Sequence, residues 1–194
     1  MTFSFHINHL VKQCFVLCHL ILKSFYTKNP LLSASVYKSY VLPSITYGVP
    51  FFYPHSVETI NQLEKIQRKF TKILLIKRNL DYISRLAILD LQLIELLFIK
   101  LGLKLIYKSL HSSSPITRLL PPLLSSSTRN SQIRFQVTTC KTNLRKNLFP
   151  TNLIIIWNSM PNNVLTSSSL QHFSKCIDHL DLSRFLKGRA SKAS

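Results

Sequence analysis

Residues 56–78 read SVETINQLEKIQRKFTKILLIKR, and their spacing decides the fold class. Leu63, Ile66, Phe70 and Ile73 recur at intervals of three and four, the repeat of one apolar helix stripe. Ser56 is placed to cap the free amides, and Glu58 falls in the positively polarised first turn. The opposite side carries Lys65, Arg68, Lys69 and Lys72. At about 100° per residue these four cations fall within roughly 100° of arc. Lys77 and Arg78 follow at the end. A face that is merely solvated usually mixes signs, because i, i+4 pairs of opposite charge support a helix. Here only Glu64 lies near, towards the edge. The stretch predicts an amphipathic helix with an apolar inner side and a basic outer one suited to phosphate.

The rest of the chain agrees with that reading. It has 194 residues, 46% of them hydrophobic, enough for a sizeable core and too many for wholesale disorder. Lys and Arg number 25 against 7 Asp and Glu, a formal net charge of +18. Self-repulsion of that size opposes compactness, so a polyanionic partner is implied, nucleic acid first and anionic membrane second. The charge is spread rather than confined to a tail. Residues 1–57 hold four bases and no acid, and residues 110–194 hold eleven bases and two acids.

Around this helix the sequence organises itself by caps and breakers. Asn29-Pro30 is a helix start, since Asn caps and Pro suits the first position. That helix is expected from about Pro30 to Val41, with a break or kink at Pro43, a short element to Tyr47, and a turn at Gly48-Val49-Pro50. Asp81 to Ile88 reads as a short helix. Leu91 to Leu110 reads as a long one, apolar nearly all round, which must be central or pack against something outside the chain. Residues 111–132 are rich in Ser and Pro and read as a linker and domain boundary. Ile133–Thr139 alternates like a strand, and Phe149–Trp157 is strand or buried helix. Ser167–Leu180 reads as an amphipathic helix, and the basic end from Arg184 as a frayed tail. Trp157 reads as a core residue beside Ile154–Ile156 rather than a base-stacking one. The expected organisation is a helical region over 1–110, the linker, a small α+β module over 133–183, and a basic disordered tail over 184–194.

Several chemistries lack their residues. The three glycines, Gly48, Gly102 and Gly188, are too far apart for a phosphate-cradling loop. The seven acids are scattered, whereas two-metal polymerase or nuclease chemistry needs clustered carboxylates. The histidines lack metal spacing. Of the four cysteines only Cys14 and Cys18 are paired, so reduced, partly buried thiols are expected rather than a zinc site. No catalytic residue, metal or cofactor is expected. The apolar run Cys14–Leu22 is shorter than the ~20 residues a bilayer span needs, and Asp90, Glu95, Lys100 and Lys104 interrupt Leu86–Ile106. No membrane association is expected, although a presequence or membrane-associated helical protein is the rival class.

A set of short motifs then lines up with a known family. SFYTKNP at residues 24–30, VYKSYVLPSITYGVPFF at 36–52, LEKIQRKFTK at 63–72, IYKSLH at 106–111, TNLRKNLF at 142–149 and WNSMP at 157–161 stand in a familiar order. Together they resemble the C-terminal part of reverse transcriptases from non-LTR, LINE-type retrotransposons of the jockey-like or RTE-like kind. The resemblance extends from about residue 20 to residue 180. It implies a thumb-like helical region that grips a template–primer duplex of RNA and DNA, followed by a C-terminal extension. It also implies that the palm and fingers, with the paired catalytic aspartates, lie upstream, so no polymerase activity carries over. Nuclear or cytoplasmic localisation is what such an origin implies. Leu42, Thr46 and Phe52 or Tyr53 stand where the family commonly has polar or Trp anchors, which suggests a decaying copy of the element; a translated relic without function is the bland alternative. The expected phosphate contacts are Lys65, Arg68, Lys69, Lys72, Lys77 and Arg78, with Lys141, Arg145 and Lys146 as a second patch. They would bind without reading sequence.

Overall fold

A computed structural model describes residues 4–24, 29–48, 56–112, 117–118, 120–124, 134–137 and 151–188. The described chain is mainly helical. In order it forms α1 (Ser4–Ser24), α2 (Pro30–Thr46), α3 (Val57–Leu74), a 3-10 turn (Ile76–Arg78), α4 (Tyr82–Ile88), α5 (Ile94–His111), α6 (Thr151–Asn158), α7 (Asn162–Leu165), α8 (Leu170–His179) and a second 3-10 turn (Ser183–Phe185). Two compact units result. One comprises residues 1–97 with 186–194, the other residues 98–185, so this division falls inside α5.

In the first unit α1, α2 and α3 pack on one another and α4 packs on α3. Ile7, Leu10, Cys14, Cys18 and Ile21 recur at helical spacing along α1 and are all buried. His9, Lys12, His19 and Lys23 on the same helix are exposed. The nine-residue apolar run is therefore part of a longer amphipathic helix, 21 residues in all. By length and composition alone, Phe5–Ser24 could cross a membrane, with 28% of that window buried inside the protein.

The helix α2 corrects the expected break at Pro43, for it continues through that proline to Thr46. Proline removes one amide and so one helix bond, about 3 kcal/mol in a helix interior. Here Pro43 and Ser39, four residues before it, are both exposed, so the missing bond falls on the solvent side of the helix. The hydroxyls of Ser44 and Thr46 donate to the carbonyls of Tyr40 (2.9 Å) and Leu42 (3.0 Å), and the Tyr47 amide donates to Pro43 O (2.9 Å). Buried Val41 and Ile45 on either side of the proline anchor the last turns. Asn29 caps this helix as the sequence predicts, accepting from the Leu31 amide at 3.0 Å.

The second unit is helical where a small α+β module was expected. Phe149–Trp157, left open between strand and helix, is α-helical from Thr151, with Leu153, Ile154, Ile156 and Trp157 buried. Of the strand expected over 133–139, residues 134–137 are described. They make one isolated antiparallel bridge, Phe135 with Leu123. Among the described residues there is no strand beyond it. The reason is a side chain in place of a second strand. Leu124 N donates to Arg134 O (2.7 Å) and Gln136 N to Pro122 O (2.9 Å) on one side. On the other, the carboxamide of Asn158 accepts from Phe135 N (3.0 Å) and donates to Phe135 O (2.9 Å). Arg134 ties the same corner, donating to Asn158 O and, at 2.8 Å, to Asn162 Oδ1.

Trp157, Phe135 and Phe173 form the aromatic centre of this unit, with Tyr107 stacked on Phe173 at 4.3 Å. Tyr107 Oη donates to Ser167 O at 2.6 Å. The apolar helix α5 is thus an inner element, and only Lys108 and His111 on it are exposed. Gly102 lets it approach α6, since a Cβ there would come within 2.3 Å of a Leu153 methyl carbon. Buried Lys100 is paired with Asp178 at 2.9 Å. The amphipathic helix expected at 167–180 is α8, capped by Ser169, with Phe173 and Ile177 inward.

Candidate nucleic-acid interface

The helix α3 starts where the sequence places it. Ser56 Oγ accepts from the Thr59 amide at 3.2 Å, and Glu58 sits in the first turn. Ile60, Leu63, Ile66 and Phe70 are buried, and Tyr37 of α2 stacks on Phe70 with centroids 4.6 Å apart. Burying one such ring contributes about 1.5–3 kcal/mol, which fixes the rotation of the helix about its axis. Ile73 was expected on that stripe but is 54% exposed. The buried arc includes Gln67 and Thr71 and is therefore centred away from Ile73, which falls beyond its edge.

That rotation turns Lys65, Arg68, Lys69 and Lys72 outward, and all four are exposed. Two of them rest on aromatic faces. The Arg68 guanidinium lies 4.9 Å from the Tyr82 ring centroid, and Lys69 Nζ lies 5.1 Å from that of Phe15 on α1. A ring face attracts a cation and holds its stem without neutralising it, so each keeps donors for a further acceptor. Lys77 and Arg78 are exposed on the 3-10 turn after α3, which Asn79 ends in the left-handed region at φ 42°. They follow the stripe rather than forming part of its arc. Lys141, Arg145 and Lys146 lie outside the described residues.

Glu64 is the residue of most consequence for the face. It stands beside the arc, as the spacing places it, but is buried, 3% exposed. Its Oε2 accepts from the Ile94 amide at 2.9 Å and so caps α5, and its Oε1 accepts from the Tyr82 hydroxyl. Gln67 donates to Tyr82 Oη (3.2 Å) and to Gln92 O (2.8 Å). Two α3 residues thereby hold the starts of α4 and α5. Burial pushes the Glu64 carboxyl up to about 6, against the lowering pull of these hydrogen bonds and of Arg68. The buried Glu64 carboxylate in turn helps raise the Tyr82 phenol, after desolvation itself. Sequence reasoning missed this network because its partners lie 18 and 30 residues away.

From Asn61 to Lys72 no acid is exposed on α3; Glu58, at the helix start, is exposed. Among the described residues no three His, Cys, Asp or Glu side chains come together as a metal site. The Cys14 and Cys18 thiols are pushed up by burial to about 11 and 12.

No family model, curated protein or solved structure matches the chain.

Proposed function

We propose that this chain is a thumb-like fragment of a non-LTR retrotransposon reverse transcriptase, and that it binds an RNA–DNA duplex without reading its sequence. The observation that carries the reading is the α3 face, where Lys65, Arg68, Lys69 and Lys72 are all exposed while the neighbouring carboxylate of Glu64 is turned inward. Four cations on two to three turns of rigid helix can follow a run of phosphates, and phosphate contact gives affinity without specificity. The motif order from residue 24 to residue 161 supports the origin of the fragment. In an enzyme of that kind the palm and fingers would supply the rest of the grip and all of the chemistry.

Fluorescence anisotropy with a labelled RNA–DNA hybrid tests this. At about 0.9 per neutralised phosphate, four contacts give a slope of log K against log salt near −3.6. The K65Q/R68Q/K69Q/K72Q variant should lose most of that slope while melting like the wild type. Binding that ignores salt, or no binding at low salt, overturns the reading.

The length and composition of α1 favour a second reading, a membrane-associated helical protein. Alkaline extraction of the tagged full chain separates the two, because a true span stays in the pellet.

A further inference from the structure

Glu95 is buried, 7% exposed, in the first turn of α5. Its two oxygens accept from consecutive amides 92 and 93 residues further on, Lys187 N at 2.6 Å and Gly188 N at 2.8 Å. Residues from Leu186 onward belong to the same compact unit as residues 1–97. The expected frayed tail is thus held, as far as Gly188, by a carboxylate. The seat is tight. A Cβ on Gly188 would come within 2.9 Å of Glu95 Oε2 and 3.1 Å of Ile60 Cγ2, with Asn61 Oδ1 at 3.7 Å.

Asn61 locates this contact on α3. At about 100° per residue, Asn61 falls within the arc of Lys65, Arg68, Lys69 and Lys72, towards its Arg68 side and about one turn before Lys65. The segment therefore passes the head of the basic stripe, and Lys187 on it is exposed. The acid that anchors it is buried and engaged by two amides, so the anchor adds no exposed negative charge beside the cation. Glu58 is the exposed acid on this side of the helix start.

We infer that the segment Leu186–Gly188, latched by Glu95, sets Lys187 at the head of the α3 stripe as a fifth cation of one continuous duplex-binding surface. This rests on the proposed reading of α3. Glu95 acts as a positioning residue, through the Lys187 and Gly188 amides. The ligand is the phosphate backbone, so the added contact strengthens binding equally on all sequences.

The experiment uses the full chain, the same labelled hybrid and a salt series, with K187Q, E95Q, G188A and E95Q/K187Q beside the four-fold α3 variant. K187Q should reduce the slope by about 0.9, roughly eightfold in affinity at about 0.1 M salt relative to the high-salt limit. E95Q and G188A, which loosen the latch differently, should each reproduce that loss, and E95Q/K187Q should lose no more than K187Q alone. If E95Q does not fold, K187Q and G188A decide. An unchanged slope in K187Q, with a slope lost in the four-fold variant, overturns the inference and leaves the α3 reading standing. No loss in either overturns both, as does preference for anionic vesicles over the hybrid.

Discussion

Replacing Glu64 by Gln should remove a pH dependence of stability that runs opposite to that of an ordinary paired carboxylate. In the folded chain burial raises the carboxyl from 4.5 to about 6. The folded state then holds the Glu64 proton more tightly than the unfolded one. Stability from this group is fully present below about 4.5 and is lost as pH rises through about 6. Raising the carboxyl that far corresponds to about 2 kcal/mol. For a chain of this size that is about 4–8 °C in Tm. Exposed Asp81 and Asp181, whose carboxyls are held low chiefly by hydrogen bonds to Ser84 and Ser183, contribute with the opposite sign at lower pH. The informative quantity is therefore the wild-type minus E64Q difference, in which they cancel. Gln keeps an oxygen for the Ile94 amide and does not titrate. Urea or thermal melts followed by circular dichroism between about pH 4.5 and 7.5 should show wild type losing about 2 kcal/mol relative to E64Q. A flat difference would refute the burial argument. A difference of opposite sign would mean that the Ile94 and Tyr82 hydrogen bonds outweigh desolvation.

Three further outcomes are expected. Pro43→Ala should raise Tm, because about 3 kcal/mol of interior-helix cost is relieved and about 1 kcal/mol of unfolded-state restriction is given up; a lower Tm would mean that the proline shapes α2 usefully. Asn158→Ala strands the Phe135 amide and carbonyl and should destabilise by about 2–4 kcal/mol, with faster hydrogen exchange at Phe135; a change under about 0.5 kcal/mol would show the clamp to be incidental. In the native protein near neutral pH, Cys14 and Cys18 should resist alkylation while half-buried Cys176 reacts, as peptide mass spectrometry would read; prompt labelling of Cys14 would contradict its burial.

Local chemistry was legible in the sequence and distant chemistry was not. Asn29 and Ser56 announce helix starts because a cap acts within three residues, and each accepts the amide bond expected of it. The outward turn of Lys65, Arg68, Lys69 and Lys72 follows from period alone. The burial of Glu64 was not legible, because the donors that receive its carboxylate, the Tyr82 hydroxyl and the Ile94 amide, come from α4 and α5. Pro43 was read as a break or kink because a proline's tolerance inside a helix depends on its surroundings, here the exposure of Pro43 and Ser39, which sequence does not contain. The run LIIIW at 153–157 has strand-forming residues, and packing against Gly102 and the Phe135–Phe173 aromatics makes it a helix instead. The Glu95 latch spans more than ninety residues and leaves no local signal.

The Asn158 clamp has a consequence for how the chain behaves when crowded. An extended segment with free amides and carbonyls along one border is a template on which a second chain can add a strand. At Phe135 both borders are taken, one by Leu123 and its neighbours and the other by a carboxamide that imitates a peptide group. At Phe135 itself a second chain finds no free peptide group while Asn158 is in place. One side chain thus occupies, at that residue, the place a pairing strand would take, in a chain where nearly half of the residues are apolar.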